Sequence, residues 1–246
     1  MHRLYSPAQN ISSVQIIVDN KEQVHHARDV LRLKIKEKVI IFDDKGIEYC
    51  CILEKILPQS LVFAIWEKTA PGLKEMEKIR ITVACAIPKA SHMDGVIDKL
   101  TQLGVERIIP METERVIIKL DKRKKILRLK RWEKIALNAS LQSHRNGFPV
   151  IGPVKGIREV LSDAQGFDLK LIPALIGERE SLRETIIKSN PKNILVLIGP
   201  EGDFTQEELD FAKSRGCLPV SLGDLVLRVE TAAVAAVSFI RLYADS

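Results

Sequence analysis

The spacing of hydrophobic and polar residues differs before and after residue 72. In the first part, a short helical segment precedes β-rich runs, and the polar sequence DDKG separates KVIIF from IEYCCILEKI like a hairpin turn. The Pro-Gly pair and the charges of TAPGLKEMEK then interrupt this pattern. We therefore predict a small β-barrel domain over residues 1–72 and a second domain over residues 73–246.

The second part alternates between strand and helix patterns. Continuous apolar runs of strand length occur in IRITVACA, VERIIPM, LKLIPALI and NILVLIG. Apolar residues at helical spacing follow the first run and recur in RWEKIALNASLQS. This alternation is typical of an α/β domain with a mostly parallel sheet covered by helices.

A Gly-Pro-Glu-Gly turn follows the last of these strands. In IGPEGDFTQEEL the strand ends near Ile198, and Thr205 with Glu208 forms a capping-box pattern that starts the next helix. The turn therefore lies at the carboxyl end of a sheet strand, where open α/β folds bind ligands. Pro200 lacks an amide donor and Glu201 is an acid, so a phosphate loop is disfavoured. The pattern favours a neutral or cationic ligand, with a simple strand-to-helix connection as the alternative.

A second turn of the same kind occurs in CLPVSLGDLVLRVETAAVAAVSFIRLY. A short strand ends at Leu222, the loop GDLVLR follows, and an alanine-rich helix opens around Glu230 and Thr231. Two such loops can close over one ligand. The small alanine face lets the helix approach the sheet or a second subunit closely.

Composition excludes several classes of protein. With 46% hydrophobic and 28% charged residues the chain resembles an ordinary soluble protein, and no apolar run approaches the roughly 20 residues of a membrane helix. The N-terminus has no apolar signal region, so we expect a cytoplasmic protein. The four cysteines form no C-x-x-C pair, which argues against a zinc site or a disulfide scaffold. We therefore expect no metal.

Positive charge is concentrated in one segment. The net charge is +6, and KLDKRKKILRLKR over residues 119–131 carries eight basic residues against the single acid Asp121. Such a density can displace counterions from an RNA backbone. The alternative is a solvated helix whose buried side is supplied by Ile126, Leu127 and Leu129.

Several motifs together resemble one family. The segments HHARDVLRLK, DKLTQLGV, RWEKIALNASLQSHR, IGPEGDF and SLGDLVLRVETA are similar to those of the bacterial 16S ribosomal RNA uridine-N3 methyltransferases, the small-subunit methyltransferase E family of the SPOUT superfamily. The resemblance implies a SPOUT α/β methyltransferase domain with a C-terminal trefoil knot, preceded by a PUA-like β-barrel. It further implies a homodimer that uses S-adenosyl-L-methionine to methylate N3 of one uridine in the decoding region of 16S rRNA in the 30S subunit.

The resemblance also implies roles for individual residues. Arg228 is the expected cation that favours the uracil anion, and Glu230 is the expected orienting group or base. The alternative for Arg228 is a structural salt bridge with Glu230 or across the dimer. The expected cofactor-binding residues are Leu171, Pro173, Gly199, Pro200, Glu201, Gly202, Leu222, Gly223, Leu227 and Thr231. The expected RNA-binding residues are Arg3, Arg28, Arg32, Lys34, Gln142 and Arg145.

The chain also departs from the family pattern. The departures are Gln102, Leu141, Asp203, Asp224, Leu225 and Val229. Leu225 replaces an arginine, which leaves Arg228 as the one cation of that segment. Two functions therefore remain open: an active rRNA methyltransferase, or a ribosome-assembly or RNA-binding protein on the same fold with a weakened catalytic site.

Overall fold

The computed structural model of the chain describes residues 1–69, 79–89, 92–116, 120–175 and 177–244. The chain divides into two compact units, Met1–Met76 with Ser140–Phe148 and Glu77–Ala139 with Pro149–Ser246. The predicted domain boundary at Gly72 lies outside the described residues.

The first unit is built on a five-stranded sheet with the strand order β1-β3-β4-β5-β2. Its strands are β1 (His2–Tyr5), β2 (Gln15–Val18), β3 (Lys38–Phe42), β4 (Glu48–Ile56) and β5 (Leu61–Thr69). β1 pairs with β3 in parallel, and the other pairs are antiparallel. Helix α1 (Lys21–His25) is capped by the Asn20 side chain and continues as a π-helical turn over His26–Val30. The predicted hairpin between β3 and β4 is confirmed.

The second unit is an α/β fold, as the strand and helix alternation predicts. Its strands are β6 (Arg80–Ala86), β7 (Arg107–Glu112), β8 (Val150–Ile151), β9 (Lys155–Gly156), β10 (Leu169–Pro173), β11 (Glu180–Ser181), β12 (Asn193–Ile198) and β13 (Leu218–Ser221). Its helices are α2 (His92–Gln102), α3 (Lys122–Gln142), α4 (Ile157–Ser162), α5 (Leu182–Ser189), α6 (Gln206–Ser214) and α7 (Val229–Ala244). The sheet has the order β11-β13-β10-β12-β6-β7-β8, with β9 also paired to β7. Every pair is parallel.

The strand order changes direction at β10. The chain leaves β10, passes through β11 and α5, and enters the sheet on one side as β12. It then passes through α6 and enters on the other side of β10 as β13. The carboxyl ends of three neighbouring strands therefore meet at a topological switch point, which is where ligands bind in open α/β sheets.

Apolar residues cover both faces of this sheet. On one face Trp132 and Ala136 of α3 pack with residues of α2 and α7, and both are fully buried. On the other face Phe204 and Leu209 pack with residues of α4. The predicted capping box between Thr205 and Glu208 is present at the start of α6.

The basic segment of α3 differs in one respect from the alternative interpretation as a solvated helix with a buried apolar side. Leu129 packs against the core, but Ile126 and Leu127 are each 59% exposed. The expectation that all three residues form a buried side is therefore wrong. The reason is that the buried residues of α3 begin only at Trp132.

Candidate functional site

An open cleft of about 540 Å³ lies at the carboxyl ends of β10, β12 and β13. Each of these strands passes directly into one wall, because its last residues or the loop that follows line the cleft. The start of α7 contributes the remaining surface. The lining residues are Pro173, Ala174, Leu175, Arg179, Ile198, Gly199, Pro200, Glu201, Asp203, Leu222, Gly223, Leu225, Leu227, Val229 and Ala232.

Most of the predicted cofactor-binding residues meet in this cleft. They are Pro173, Gly199, Pro200, Glu201, Leu222, Gly223 and Leu227. Three others do not line it: Leu171 is fully buried within β10, while Gly202 and Thr231 face solvent. The two glycine-bearing turns therefore share one pocket, as their positions after parallel strands indicate.

Other lining residues were missed by the sequence prediction. Ala174, Leu175 and Asp203 lie within two residues of predicted positions, so the loop pattern could have included them. Arg179 gave no signal in the sequence. It lines the cleft and donates to the backbone oxygen of Ala174 over 3.2 Å, so it braces the loop after β10.

Gly199 is required by the close approach of an aromatic ring. A Cβ at this position would lie 2.9 Å from Cε2 and 3.0 Å from Cδ2 of Phe204, whose side chain is fully buried. Such distances are shorter than van der Waals contact, and the ring cannot easily withdraw because it is packed within the core. The lack of a side chain at residue 199 thus allows the turn to pack directly over the core.

The turn after Gly199 is held by side chains from two directions. Arg115, in the segment after β7, donates to the carbonyl of Gly202 over 2.6 Å. The Asp203 carboxylate accepts from the amides of Leu175 and Phe204 over 2.9 and 2.8 Å. Two neighbouring loops and the β12 turn are therefore joined by hydrogen bonds.

Two carboxylates lie near the end of β6. Burial of the Cys85 thiol raises its pKa far above the usual range, and the charges of Glu230 and Glu201 raise it further. Both carboxylates are thus close enough to act on one buried thiol, although they belong to α7 and to the turn after β12. The neutral Cys85 serves as a small apolar residue beside the cleft.

The expected catalytic residues lie at the entrance to α7. Arg228 stands between the cleft-lining residues Leu227 and Val229, and its side chain is exposed. Among the described residues its guanidinium has no hydrogen bond or ion pair. Glu230 pairs instead with His92, with 3.6 Å between Oε1 and Nδ1. The salt bridge between Arg228 and Glu230, the structural alternative, is therefore not formed within the chain.

The chain matches known RNA methyltransferases over both units. Residues 75–241 match the model of an RNA methyltransferase domain, and residues 18–65 match an RNA methyltransferase PUA domain. The ribosomal RNA small subunit methyltransferase E of Bacillus subtilis is 30% identical over 224 residues, which cover 89% of this chain and 87% of the relative. That of Mesomycoplasma hyopneumoniae is 36% identical over 74% of this chain and 77% of its own. The chain belongs to this family of RNA methyltransferases.

Solved structures of similar proteins agree with this family membership. The ribosomal RNA small subunit methyltransferase E of Neisseria gonorrhoeae, solved bound to S-adenosyl methionine, has a TM-score of 0.86 and 29% identity, covering 99% of this chain and 98% of its own. A putative methyltransferase of Legionella pneumophila in complex with the same cofactor has a TM-score of 0.87 and 29% identity, covering 98% and 97%. The expected α/β fold preceded by a PUA domain is confirmed.

One of the expected RNA-binding residues of this methyltransferase, Arg3, lies in the interior of the first unit. The Arg3 side chain is only 6% exposed and forms an ion pair with Glu48. It also donates to Asn146 over 2.8 Å and lies 5.7 Å from the centre of the Phe42 ring. Arg3 therefore holds elements of the first unit together.

The other expected RNA-binding residues of the methyltransferase differ in their exposure and in the contacts that their side chains already make. Arg28 forms two bonds of 2.9 Å with the Asp29 carboxylate, and this guanidinium lowers the pKa of Asp29 to about 2. Its third contact, with the carbonyl of Pro58, leaves it less free than the sequence suggests. The remaining candidates are exposed or half-buried in the first unit, and they are Arg32, Lys34, Gln142 and Arg145.

Among the residues that the structure describes, no three His, Cys, Asp or Glu side chains are grouped as a metal site requires. None of the helices described above is long and apolar enough to cross a membrane.

Proposed function

We propose that the protein transfers the methyl group of S-adenosyl-L-methionine to N3 of one uridine in the decoding region of 16S rRNA, within the 30S subunit. The observation that carries this proposal is the cleft at the carboxyl ends of β10, β12 and β13 in a chain of the methyltransferase E family. Relatives with 29% identity were solved with the same cofactor bound.

The lining of the cleft suits this cofactor. S-adenosyl-L-methionine has no phosphate, and when bound it supplies an electrophilic methyl group on a positively charged sulfonium. Glu201 provides negative charge, and the leucine, isoleucine, proline and alanine side chains provide an apolar surface for an adenine. A phosphate-bearing ligand would meet the Glu201 carboxylate, and Arg179, which donates to the Ala174 carbonyl, is the one cation among the described lining residues, so such a ligand fits less well.

Methylation at N3 of uracil sets a specific demand on the protein. This nitrogen carries a proton and its lone pair is delocalised into two carbonyls, so it becomes nucleophilic only when the imide is deprotonated or nearly so. We assign Arg228 to hold the uracil in its anionic form by placing positive charge beside it. We assign Glu230, paired with His92, to accept the N3 proton or to orient the group that does.

Methyl transfer to ribosomal subunits tests the proposal. The protein is incubated with labelled S-adenosyl-L-methionine and 30S subunits that lack the modification, and the labelled nucleoside is then identified by mass spectrometry. We expect one 3-methyluridine per 16S rRNA. A cofactor-induced rise in melting temperature without transfer would favour the RNA-binding alternative. Labelled methyl on another atom or nucleotide would show that the enzyme modifies a different target.

We also propose that the C-terminal part of the chain forms the trefoil knot of the SPOUT superfamily. The family resemblance supports this. The strand order is consistent with a knot. After β12 the chain crosses to the other side of β10 to form β13, so the loops that follow these strands pass close to one another.

The proposed homodimer is supported by exposed apolar residues in the loop before α7 and near the end of α7. Leu225 and Val226, in the loop before α7, are 78% and 72% exposed, and Leu242 near the end of α7 is 70% exposed. We predict that Val226→Asp converts a dimer into a monomer, because a partner would have to bury the new carboxylate. Light scattering measures the mass. Val14→Asp, at a valine that is 65% exposed in the first unit, is the control. A monomeric wild-type protein would contradict the dimer.

The basic segment of α3 is proposed to contact the rRNA backbone. Three of its cationic side chains form ion pairs with acidic residues: Lys124 with Asp121, Lys125 with Glu112 and Arg131 with Asp94. Three others, Lys122, Arg123 and Lys130, are exposed and have no ion pair among the described residues. These three are free to replace counterions at phosphates.

Neutralising the unpaired cations tests this contact. We predict that the triple variant Lys122→Gln, Arg123→Gln, Lys130→Gln binds rRNA more weakly, with a salt dependence shallower by about 2 to 3 in log–log slope. The control variant Arg183→Gln, Lys188→Gln, Lys213→Gln removes the same charge from exposed positions on α5 and α6. Equal slopes of the salt dependence for the two variants would show that the segment is a solvated helix face that does not contact the rRNA.

A further inference from the structure

Asp203 occupies a backbone conformation that disfavours a side chain. Its φ is +59°, in the left-handed region that glycine adopts most readily. The family resemblance implies a glycine here. An aspartate at such a position bears a conformational cost, so its side chain must offset that cost through contacts of its own.

The carboxylate of Asp203 makes two contacts with different segments. Oδ1 accepts from the amide of Phe204, the next residue, over 2.8 Å. Oδ2 accepts from the amide of Leu175 over 2.9 Å, in the segment after β10 and 28 positions away in sequence. The second bond joins the β12 turn to the β10 loop, and a glycine at residue 203 could not form it.

Both ends of this second bond line the cleft. Leu175 belongs to the β10 wall and Asp203 to the β12 wall. The β12 turn is also held from the β7 side, because Arg115 donates to the carbonyl of Gly202 over 2.6 Å. The turn is therefore anchored on one side by Arg115, and the Asp203 carboxylate ties the neighbouring wall to it.

We propose that Asp203 is a positioning residue that fixes the spacing of the β10 and β12 walls and thereby sets the affinity for the adenosyl cofactor. This inference rests on the proposed function. Where the family resemblance implies a conformationally free glycine, this chain has a carboxylate that forms a hydrogen bond between the two walls.

Replacement of Asp203 by glycine separates this role from folding. Glycine suits the positive φ, so Asp203→Gly is expected to keep the melting temperature of the free protein within a few degrees of wild type. We expect its dissociation constant for S-adenosyl-L-methionine, measured by calorimetry without RNA, to rise about tenfold, because a charge-assisted bond across the cleft is lost. The amide of Leu175 should also exchange with solvent faster.

A conservative variant and kinetics sharpen the test. Asp203→Asn tolerates the left-handed conformation and keeps one acceptor oxygen, so we expect an intermediate affinity. In turnover, the glycine variant should raise KM for the cofactor while kcat at saturation stays within about twofold of wild type. Wild-type cofactor affinity in Asp203→Gly would overturn the inference and leave the proposed function intact. Failure of the wild-type protein to bind the cofactor would reject both.

Discussion

Replacement of Arg228 by alanine is expected to abolish methyl transfer to 30S subunits while leaving the cofactor-induced rise in melting temperature intact. The guanidinium is exposed between two cleft-lining residues and is unpaired among the described residues, so its removal breaks no described ion pair. A cation that stabilises developing negative charge contributes on the order of 10² to 10³ in rate. Single-turnover transfer of labelled methyl groups measures the loss.

Two further variants accompany the Arg228 prediction. Arg228→Lys keeps the positive charge but lacks the planar fork, and we expect it to recover part of the rate. Arg183→Ala removes an exposed arginine from α5 and should behave as wild type. Wild-type turnover in Arg228→Ala would remove this residue from the mechanism and leave Glu230 as the remaining candidate.

Replacement of Gly199 by alanine is expected to disrupt both the cleft and the fold around it. The new Cβ would lie 2.9 Å from the ring of Phe204, which is fully buried and cannot withdraw without displacing the core. Overpacking of this kind costs about 1–3 kcal/mol in the free energy of unfolding. The turn should shift, and the stabilisation by S-adenosyl-L-methionine should be lost. Chemical denaturation with and without cofactor measures both effects.

Gly95 provides a matched control for the Gly199 prediction. It lies inside α2, and a Cβ added there would meet no atom within 4 Å. Gly95→Ala should therefore stabilise the protein by roughly 0.5–1 kcal/mol, because alanine loses less conformational freedom in a helix. A smaller side chain at the ring position, Phe204→Leu, should partly restore cofactor binding to the Gly199→Ala variant. Wild-type cofactor affinity in Gly199→Ala alone would show that the turn does not form a wall of the site.

Local patterns in the sequence predict the scaffold of the site well. Continuous apolar runs indicate buried parallel strands, and the Thr205–Glu208 pattern correctly marks the start of α6. Because parallel strands end at the same edge of a sheet, the sequence predicts that the two glycine-bearing turns lie on one edge, and the strand order of the structure brings them into one pocket. These inferences succeed because they depend on residues close together in the chain.

Contacts between distant residues could not be predicted in the same way. His92 pairs with Glu230, and Asp203 bonds to Leu175, although no sequence pattern relates either pair. The family resemblance implies an RNA-binding role for Arg3, yet its side chain is buried against Glu48. Such pairings depend on how loops from different strands pack, and spacing along the chain carries no information about that packing.

A structure of the protein with S-adenosylhomocysteine tests the central claim most directly, because every residue role above depends on where the adenosyl group binds. We predict density for the nucleoside between Gly199, Leu222 and Leu227, with Asp203 still bonded to the amide of Leu175. A ligand bound elsewhere on the protein, with this cleft empty, would contradict the account.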